Sequence, residues 1–338
     1  MIKKPKRPGS AAIVSTMRSP GRHLSAWLRY HAALGFERFY LFFDADPTES
    51  DGARVAEMPG VRVVVVDRKL RARMEKDAYC AELVPLSGPP EKPVASPEEL
   101  TARQLCNVKV ALDMARREGI AWLLHIDADE LFHPPKLDAR AHFVAMEALG
   151  VGYAIYDNHE ALCERVEYDD PFREITLFRK NPRAIDPDAL AAVDPYFAAR
   201  GGYFLAYANG KAAVRTVPGS APAGVHGFHV PLQLGFGRVR LIEPAILHYP
   251  YTGFDGYWRK FQRLGRHPGD VLLGRKWYPP LFELASCDVA QAGDVTKARR
   301  FYKRCVVPGD AKRIEEWTRA GVVARIDGPA RFLAKKSR

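Results

Sequence analysis

Apolar runs alternate with amphipathic segments through the first half of the chain. Short apolar runs that suit buried strands occupy residues 11–16, 36–44, 60–67 and 120–126. Amphipathic helices are predicted from Arg22 to a stop at Gly35, and from about Glu98 to Arg117 with Gly119 after it. Strands that alternate with helices indicate a mostly parallel, twisted sheet flanked by helices. The predicted fold class is therefore α/β.

The second half of the chain is less regular. Strands are predicted at 151–157, 175–180, 210–216 and 240–249, with loops or short helices at 157–172 and 218–228. We expect a basic N-terminal tail (1–10), a ligand-binding half (11–150), a second half of the same domain (151–290) and a basic C-terminal tail (291–338). No internal repeat is present.

The stretch WLLHIDADELFHPP, from Trp122 to Pro135, carries three carboxylates directly after an apolar run. Asp127, Asp129 and Glu130 repel one another, and each loses hydration where it is partly buried. The pattern therefore predicts that a positive charge completes the site. Carboxylates without nearby cysteines favour a hard divalent ion such as Mg²⁺ or Mn²⁺, which takes its other ligands from water and phosphates.

Aspartates also end the predicted strands at Asp44 and Asp67. In a parallel sheet, ligands bind beyond the carboxyl ends of the strands. Asp44, Asp67 and Asp127 on one edge thus favour a polar ligand site there. The alternative for each single aspartate is a helix cap or a turn.

The net charge of +11 is concentrated near the C-terminus. Residues 297–338 hold 13 Lys/Arg and 4 Asp/Glu, a local excess of +9. Such a segment attracts phosphate groups, and we expect either a solvated helix face or peripheral contact with an anionic membrane. No zinc-finger or RNP-type motif accompanies the charge, so no specific nucleic acid is expected.

Five scattered cysteines without a CxxC pair argue against a disulfide framework and a zinc site. No apolar run approaches the roughly 20 residues of a membrane-spanning helix. The expected location is the cytoplasm, with the Golgi lumen as the alternative if the chain is part of a longer anchored protein.

The motif LLHIDADELF resembles the DxD strand of GT-A glycosyltransferases, especially their family 2 and family 92-like branches. The segment 14–52 is similar to the opening of these enzymes, with matches at Trp27, His31, Gly35, Asp44, Ser50 and Asp51. The N-E pair of the family is replaced by Ser19-Pro20, and Ala26 stands for a glutamate. The likeness covers about 11–157 and continues more weakly to about 261.

The resemblance implies a Rossmann-like GT-A fold and a nucleotide-sugar donor, most often a UDP-sugar. It places Asp44 beside the base and ribose, Asp127 beside the ribose or a metal-bound water, and Asp129 on the metal. A late histidine supplies a further metal ligand in many such enzymes, so His248 and His226 are the candidates here. Arg103 faces the donor in this scheme, and Lys260 contacts the diphosphate.

Inverting transfer to a glycan or other hydroxyl acceptor needs a carboxylate base within roughly 3 Å of the hydroxyl. Glu160 in the segment DNHE is the first candidate, Asp157 the second and Asp255 the third. Three alternative functions remain open: a nucleotidyltransferase, a non-catalytic glycan- or nucleic-acid-binding protein that uses the basic tail, and an inactive glycosyltransferase-like scaffold.

Overall fold

The computed structural model describes residues 7–17, 23–43, 52–88, 96–136, 138–193, 204–264, 271–272, 275–276 and 280–335. The helices in this part are α1 (Leu24–Ala33), α2 (Gly52–Ala56), α3 (Arg68–Met74), α4 (Pro97–Glu118), α5 (Ala139–Ala148), α6 (Pro171–Glu174), α7 (Pro187–Val193), α8 (Phe254–Leu264), α9 (Leu281–Gln291), α10 (Val295–Val306), α11 (Ala311–Arg319) and α12 (Gly328–Lys335).

The strands are β1 (Ala11–Met17), β2 (Arg38–Phe43), β3 (Val61–Val64), β4 (Trp122–His125), β5 (Glu130–His133), β6 (Val151–Ala161), β7 (Leu177–Arg179), β8 (Lys211–Arg215), β9 (Ala221–Pro222), β10 (Phe228–His229), β11 (Gly237–His248), β12 (Val271–Leu272), β13 (Arg275–Lys276) and β14 (Val323–Arg325). The chain forms two compact units, one of Met1–Tyr156 with Gly210–Ala245 and one of Asp157–Asn209 with Ile246–Arg338. The domain limits expected from the sequence stay predictions.

The first unit is built on strands in the order β3-β2-β1-β4-β8-β6. The pairs among β3, β2, β1 and β4 are parallel, whereas β8 pairs antiparallel with both β4 and β6. The predicted α/β class is therefore confirmed, with the parallel strands all drawn from the regular N-terminal half. Parallel pairing brings the carboxyl ends of β1, β2 and β4 to one edge of the sheet.

Helix α4 packs against β1 and β4 in the first unit. It starts where the Ser96 hydroxyl caps the Glu99 N–H at 3.1 Å, and it ends at Gly119, whose φ of 72° suits a residue without a Cβ. Leu105, Val108 and Leu112 are buried, as the sequence predicts. Asp67 accepts the Leu70 N–H at 2.7 Å and so caps α3, which corresponds to the helix-cap alternative.

In the second unit, β6 residues Glu160 and Ala161 pair with β7, and β7 pairs with β14. A buried cluster includes Leu162, Leu177 and Trp317. Helices α8, α9 and α10 pack together around aromatic rings such as Tyr257 and Tyr302. The segment predicted as a basic tail thus contains helices and a strand. All five cysteines are free, and no helix among the described residues is long and apolar enough to cross a membrane.

Candidate functional site

The carboxylate motif forms a tight turn between β4 and β5 in the first unit. The Glu130 N–H donates to the Asp127 carbonyl at 3.1 Å, and the Asp127 N–H donates to Glu130 Oε2 at 2.8 Å. The Glu130 carbonyl in turn accepts the indole N–H of Trp27 at 2.6 Å. These bonds fix the turn at the carboxyl end of β4, beside the end of the parallel strand β1. These hydrogen bonds thus give the motif a defined conformation at the edge of the sheet.

The positive charge that the motif requires comes from Lys211 at the start of β8. Its Nζ lies 2.5 Å from Asp127 Oδ2 and 3.4 Å from Glu130 Oε2. The side chains of Lys211 and Glu130 are 2 % and 0 % exposed, whereas that of Asp127 is 29 % exposed. The single ammonium group compensates one of these two negative charges, so the turn keeps a net negative charge.

The ion pair shifts the pKa of both partners in the directions expected for opposite charges. Burial alone would raise the pKa of Asp127, but Lys211 outweighs burial and holds that pKa well below its usual range. Burial alone would lower the pKa of Lys211, but Asp127 and Glu130 raise it above its usual value. The pair is therefore ionised throughout the neutral pH range.

Two histidines flank the Asp127–Lys211 pair. His226 Nδ1 lies 2.8 Å from the Gly210 carbonyl, so this nitrogen carries the proton and donates it. Burial, followed by the charge of Lys211, lowers the pKa of His226 to about 3 and that of His125 to about 4. Both rings are neutral at pH 7. Within the described part of the chain, His125 Nε2 is buried without a hydrogen-bond partner.

Helix α4 contributes polar side chains near the same edge. Gln104 Nε2 lies 3.5 Å from Asp127 Oδ1, at the limit of a hydrogen bond. Arg103, the predicted donor contact, instead donates to the Ser87 carbonyl at 2.6 Å and to Glu99 at 2.7 Å. These bonds hold the guanidinium at the first turns of α4, and its contact with a donor stays a prediction. Asp44 lies outside the described residues.

No bound ion tests the metal centre that is predicted from Asp127, Asp129, His226 and His248. In the ranges that the structure describes, no three His, Cys, Asp or Glu side chains are grouped so as to hold a metal ion. Asp129 lies in the turn and is exposed. Lys211 Nζ lies between the carboxylates of Asp127 and Glu130. The expectation of Mn²⁺ or Mg²⁺ stays a prediction.

The predicted catalytic bases belong to the second unit. Glu160 is fully buried, and its carboxylate accepts hydrogen bonds from Arg179 at 2.9 Å and from the N–H groups of Leu205 and Ala206 at 2.8–3.1 Å. Asp157 is 1 % exposed, with Arg183 Nη1 at 3.7 Å from its Oδ1. Glu160 thus has the environment of a structural ion pair.

The remaining predicted residues of this unit lie in its aromatic part. His248 is buried with its ring 4.8 Å from that of Tyr207. Lys260 on α8 lies 3.5 Å from both the Tyr251 hydroxyl and Glu283 Oε1, and it is 43 % exposed. Asp255, the third candidate base, is exposed and 3.8 Å from Arg299. The roles predicted for His248 and Lys260 stay predictions.

Two proteins of Arabidopsis thaliana are similar to this chain along most of its length. The glycosyltransferase-like protein At3g57200 is 31% identical over 316 residues, which cover 90% of this chain and 59% of that protein. The glycosyltransferase-like protein At2g41451 is 31% identical over 311 residues, which cover 90% of this chain and 67% of that protein. The chain therefore spans about three fifths to two thirds of these relatives. No protein-family model matches it.

Among solved structures, the S. aureus TarS 1-349 crystal structure has a TM-score of 0.34 and 12% identity. The match covers 92% of this chain and 78% of that one. A likeness this distant supports no assignment of function.

Proposed function

Because the chain belongs to the glycosyltransferase-like family of these two plant proteins, we propose that it transfers a sugar from a nucleoside-diphosphate donor to a hydroxyl group of a glycan acceptor. The observation that carries the proposal is the Asp127–Glu130 turn at the carboxyl end of β4, beside parallel β1. This edge is where α/β sheets bind nucleotides. The donor that we propose first is a UDP-sugar, and the transfer is inverting.

The acceptor hydroxyl requires a general base, and we assign this role to Asp157 ahead of Glu160. The oxygens of Glu160 already accept hydrogen bonds from Arg179, Leu205 and Ala206. A carboxylate engaged in these hydrogen bonds stabilises the backbone of the second unit. It is poorly suited to take the proton of the acceptor hydroxyl. Arg103 in the first unit remains a proposed cationic contact of the donor diphosphate, and the contact predicted for Lys260 of the second unit stays a separate prediction.

Binding of a nucleoside diphosphate is expected to stabilise the protein, because a ligand that binds the native state alone shifts the unfolding equilibrium. At about 100 times its dissociation constant the gain is about 2.7 kcal/mol. The measurement is a thermal-shift screen of UDP, GDP, CDP, dTDP and ATP, each with Mn²⁺, Mg²⁺ or EDTA. Stabilisation by one diphosphate would identify the base of the donor and its dependence on a divalent ion.

The matched control is Asp129→Asn, which keeps the size of a side chain that is exposed in the turn. We expect this variant to unfold at nearly the same temperature as the wild type without ligand and to lose at least tenfold in nucleotide affinity. Equal nucleotide affinity in both proteins, or no response to any nucleotide, would contradict a donor site at this turn.

Peripheral contact with an anionic membrane is a second part of the proposal. Helix α10 exposes Arg299, Arg300, Lys303 and Arg304 on adjacent turns, while Ala298 and Tyr302 are buried. The spacing of i, i+1, i+4 and i+5 places the four cations on one face. This face is suited to the phosphate groups of lipid headgroups.

Replacing these four residues with glutamine is expected to weaken binding to phosphatidylserine vesicles roughly 100-fold or more, since each cation near an anionic surface contributes about 1 kcal/mol. Vesicle co-sedimentation at 0.1 M and 0.5 M salt measures the effect. The control variant replaces Arg319 and Arg331, which are each 72 % exposed but already paired with Glu315 and Asp327. The control removes two cations instead of four, so a control that loses half as much binding free energy would show that total charge, not this face, determines binding.

A further inference from the structure

We propose that Lys211 is a positioning residue of the donor site, where its ammonium group takes the place of a divalent cation between Asp127 and Glu130. The inference rests on the proposed function and concerns how its carboxylate motif is neutralised. A DxD turn without an internal cation would need a metal ion to balance its carboxylates. In this chain strand β8 supplies one positive charge, which Asp127 and Glu130 share.

The fold fixes Lys211 in this position. Strand β8 pairs antiparallel with β4, and Ala212 lies opposite His125, so Lys211 comes next to the residues that lead into the turn. On its other side β8 pairs with β6, where Lys211 lies opposite Tyr156. Strand β8 is thus paired on both sides, and the side chain of Lys211 is 2 % exposed, so moving its ammonium group away would leave the buried Glu130 without this cation.

The ammonium group and a metal ion would compete for the same lone pairs. Lys211 Nζ already lies 2.5 Å from Asp127 Oδ2, and Mg²⁺ bonds to such oxygens at about 2.0–2.1 Å. A divalent ion on that oxygen would stand beside a buried positive charge, which repels it. The Glu130 carboxylate is also engaged, because it accepts the Asp127 N–H and lies 3.4 Å from the same Nζ.

What Lys211 does for the donor follows from the exposure of its partner. The Asp127 side chain is 29 % exposed, although Lys211 and Glu130 behind it are buried. Lys211 therefore holds the Asp127 carboxylate from its buried side and keeps it ionised. The exposed side of that carboxylate can then accept a hydrogen bond from a hydroxyl group of the donor. Asp127 acts as a fixed acceptor and not as a metal ligand.

The test is a titration of Mn²⁺, followed by the loss of its free EPR signal, into the protein without nucleotide. We expect that Asp127→Asn leaves the Mn²⁺ affinity of the protein unchanged, since Asp127 binds Lys211 and not the metal. We expect Lys211→Gln to bind Mn²⁺ at least tenfold more tightly than the wild type, because two carboxylates lose their counter-ion. The double variant Lys211→Gln/Asp127→Asn is the matched control, and we expect it to bind Mn²⁺ no more tightly than the wild type does.

The proposal is overturned if Asp127→Asn lowers the Mn²⁺ affinity of the protein that retains Lys211, or if Lys211→Gln gains none. If Lys211→Gln unfolds in EDTA, the Mn²⁺ affinities of Asp127→Asn and the wild type still test the proposal. No nucleotide takes part in the titration, so its result is independent of the nucleotide screen. If the chain binds no nucleotide, the proposed function is wrong. If the wild type binds Mn²⁺ through Asp127, only the proposed role of Lys211 is wrong.

Discussion

Replacing Glu160 with alanine is expected to lower the free energy of unfolding by about 3–5 kcal/mol, because the change leaves Arg179 buried without a counter-ion. Arg179 is 4 % exposed, and Glu160 is its partner at 2.9 Å. The N–H groups of Leu205 and Ala206 lose their acceptor as well. Native proteins of ordinary stability have only about 5–15 kcal/mol in total. The second unit of this variant should therefore be close to unfolding at room temperature.

A variant that removes both charges of the pair is expected to avoid most of this loss. In Glu160→Gln/Arg179→Met the charges disappear together, and the amide oxygen can still accept from Leu205 and Ala206. Removal of a complete buried ion pair is often near neutral in stability, whereas removal of one partner is not. Urea unfolding of Glu160→Gln, Arg179→Met and the double variant gives the coupling energy. A coupling near zero would mean that the two charges do not stabilise each other in the native protein.

The double variant also separates a structural role of Glu160 from a catalytic one. If Glu160 holds the fold, the refolded double variant should release nucleoside diphosphate from its donor at a rate within a few-fold of the wild type. If Glu160 is the general base, the rate should fall by about 10²–10⁴-fold although stability is restored. Asp157→Asn, measured in parallel, is expected to show the large fall in rate without a comparable loss of stability.

The regular elements of the first unit were predictable because local pattern determines them. Strands β1, β2 and β4 are continuous apolar runs, which is typical of strands buried on both faces of a parallel sheet. Helix α4 has a serine cap, a proline in its first turn and a glycine stop, and its observed ends lie within one residue of the predicted ones. Each of these signals lies within the segment that it specifies.

The charge balance of the candidate site was not predictable in the same way. The sequence indicates that Asp127, Asp129 and Glu130 need a cation, but Lys211 lies 84 residues from Asp127 along the chain. Only the antiparallel register of β8 with β4 brings the two together. The available signal was a lone lysine in the otherwise apolar stretch GKAAV, since a buried lysine requires an acidic partner. The pattern likewise predicts a loop or short helix from residue 157 onward, whereas β6 continues through Glu160 to Ala161.

Buried neutral histidines are expected to make the first unit sensitive to mild acid. His31 is 0 % exposed, with Nδ1 at 2.9 Å from the Trp27 carbonyl, to which it donates, and Nε2 accepting the Phe132 N–H at 3.1 Å. Protonation of Nε2 would remove that acceptor. Burial lowers the pKa of His31 to about 3, against a weaker opposing effect of the Trp27 carbonyl. Burial and then Lys211 lower the pKa of His125 to about 4.

The sign of the pH dependence follows from proton uptake by the unfolded chain. An unfolded histidine with a pKa of about 6.5 binds a proton below that pH, whereas the folded one stays neutral until about pH 3–4. The stability present above pH 6.5 is therefore lost progressively as the pH falls toward the folded pKa. Each of these two histidines should lower the free energy of unfolding by about 2 kcal/mol between pH 7 and pH 5, or by about 4 kcal/mol together.

Urea unfolding at pH 7, 6 and 5 measures this loss, and His125→Gln identifies its source. Glutamine does not titrate, so the variant should be less stable than the wild type at pH 7 but should lose about 1.4 kcal/mol less per pH unit near pH 5. Because the Asp127–Lys211 pair stays ionised through this range, its contribution is constant and cannot imitate the effect. A wild type equally stable at pH 7 and pH 5 would mean that these rings are accessible to protons in the folded state.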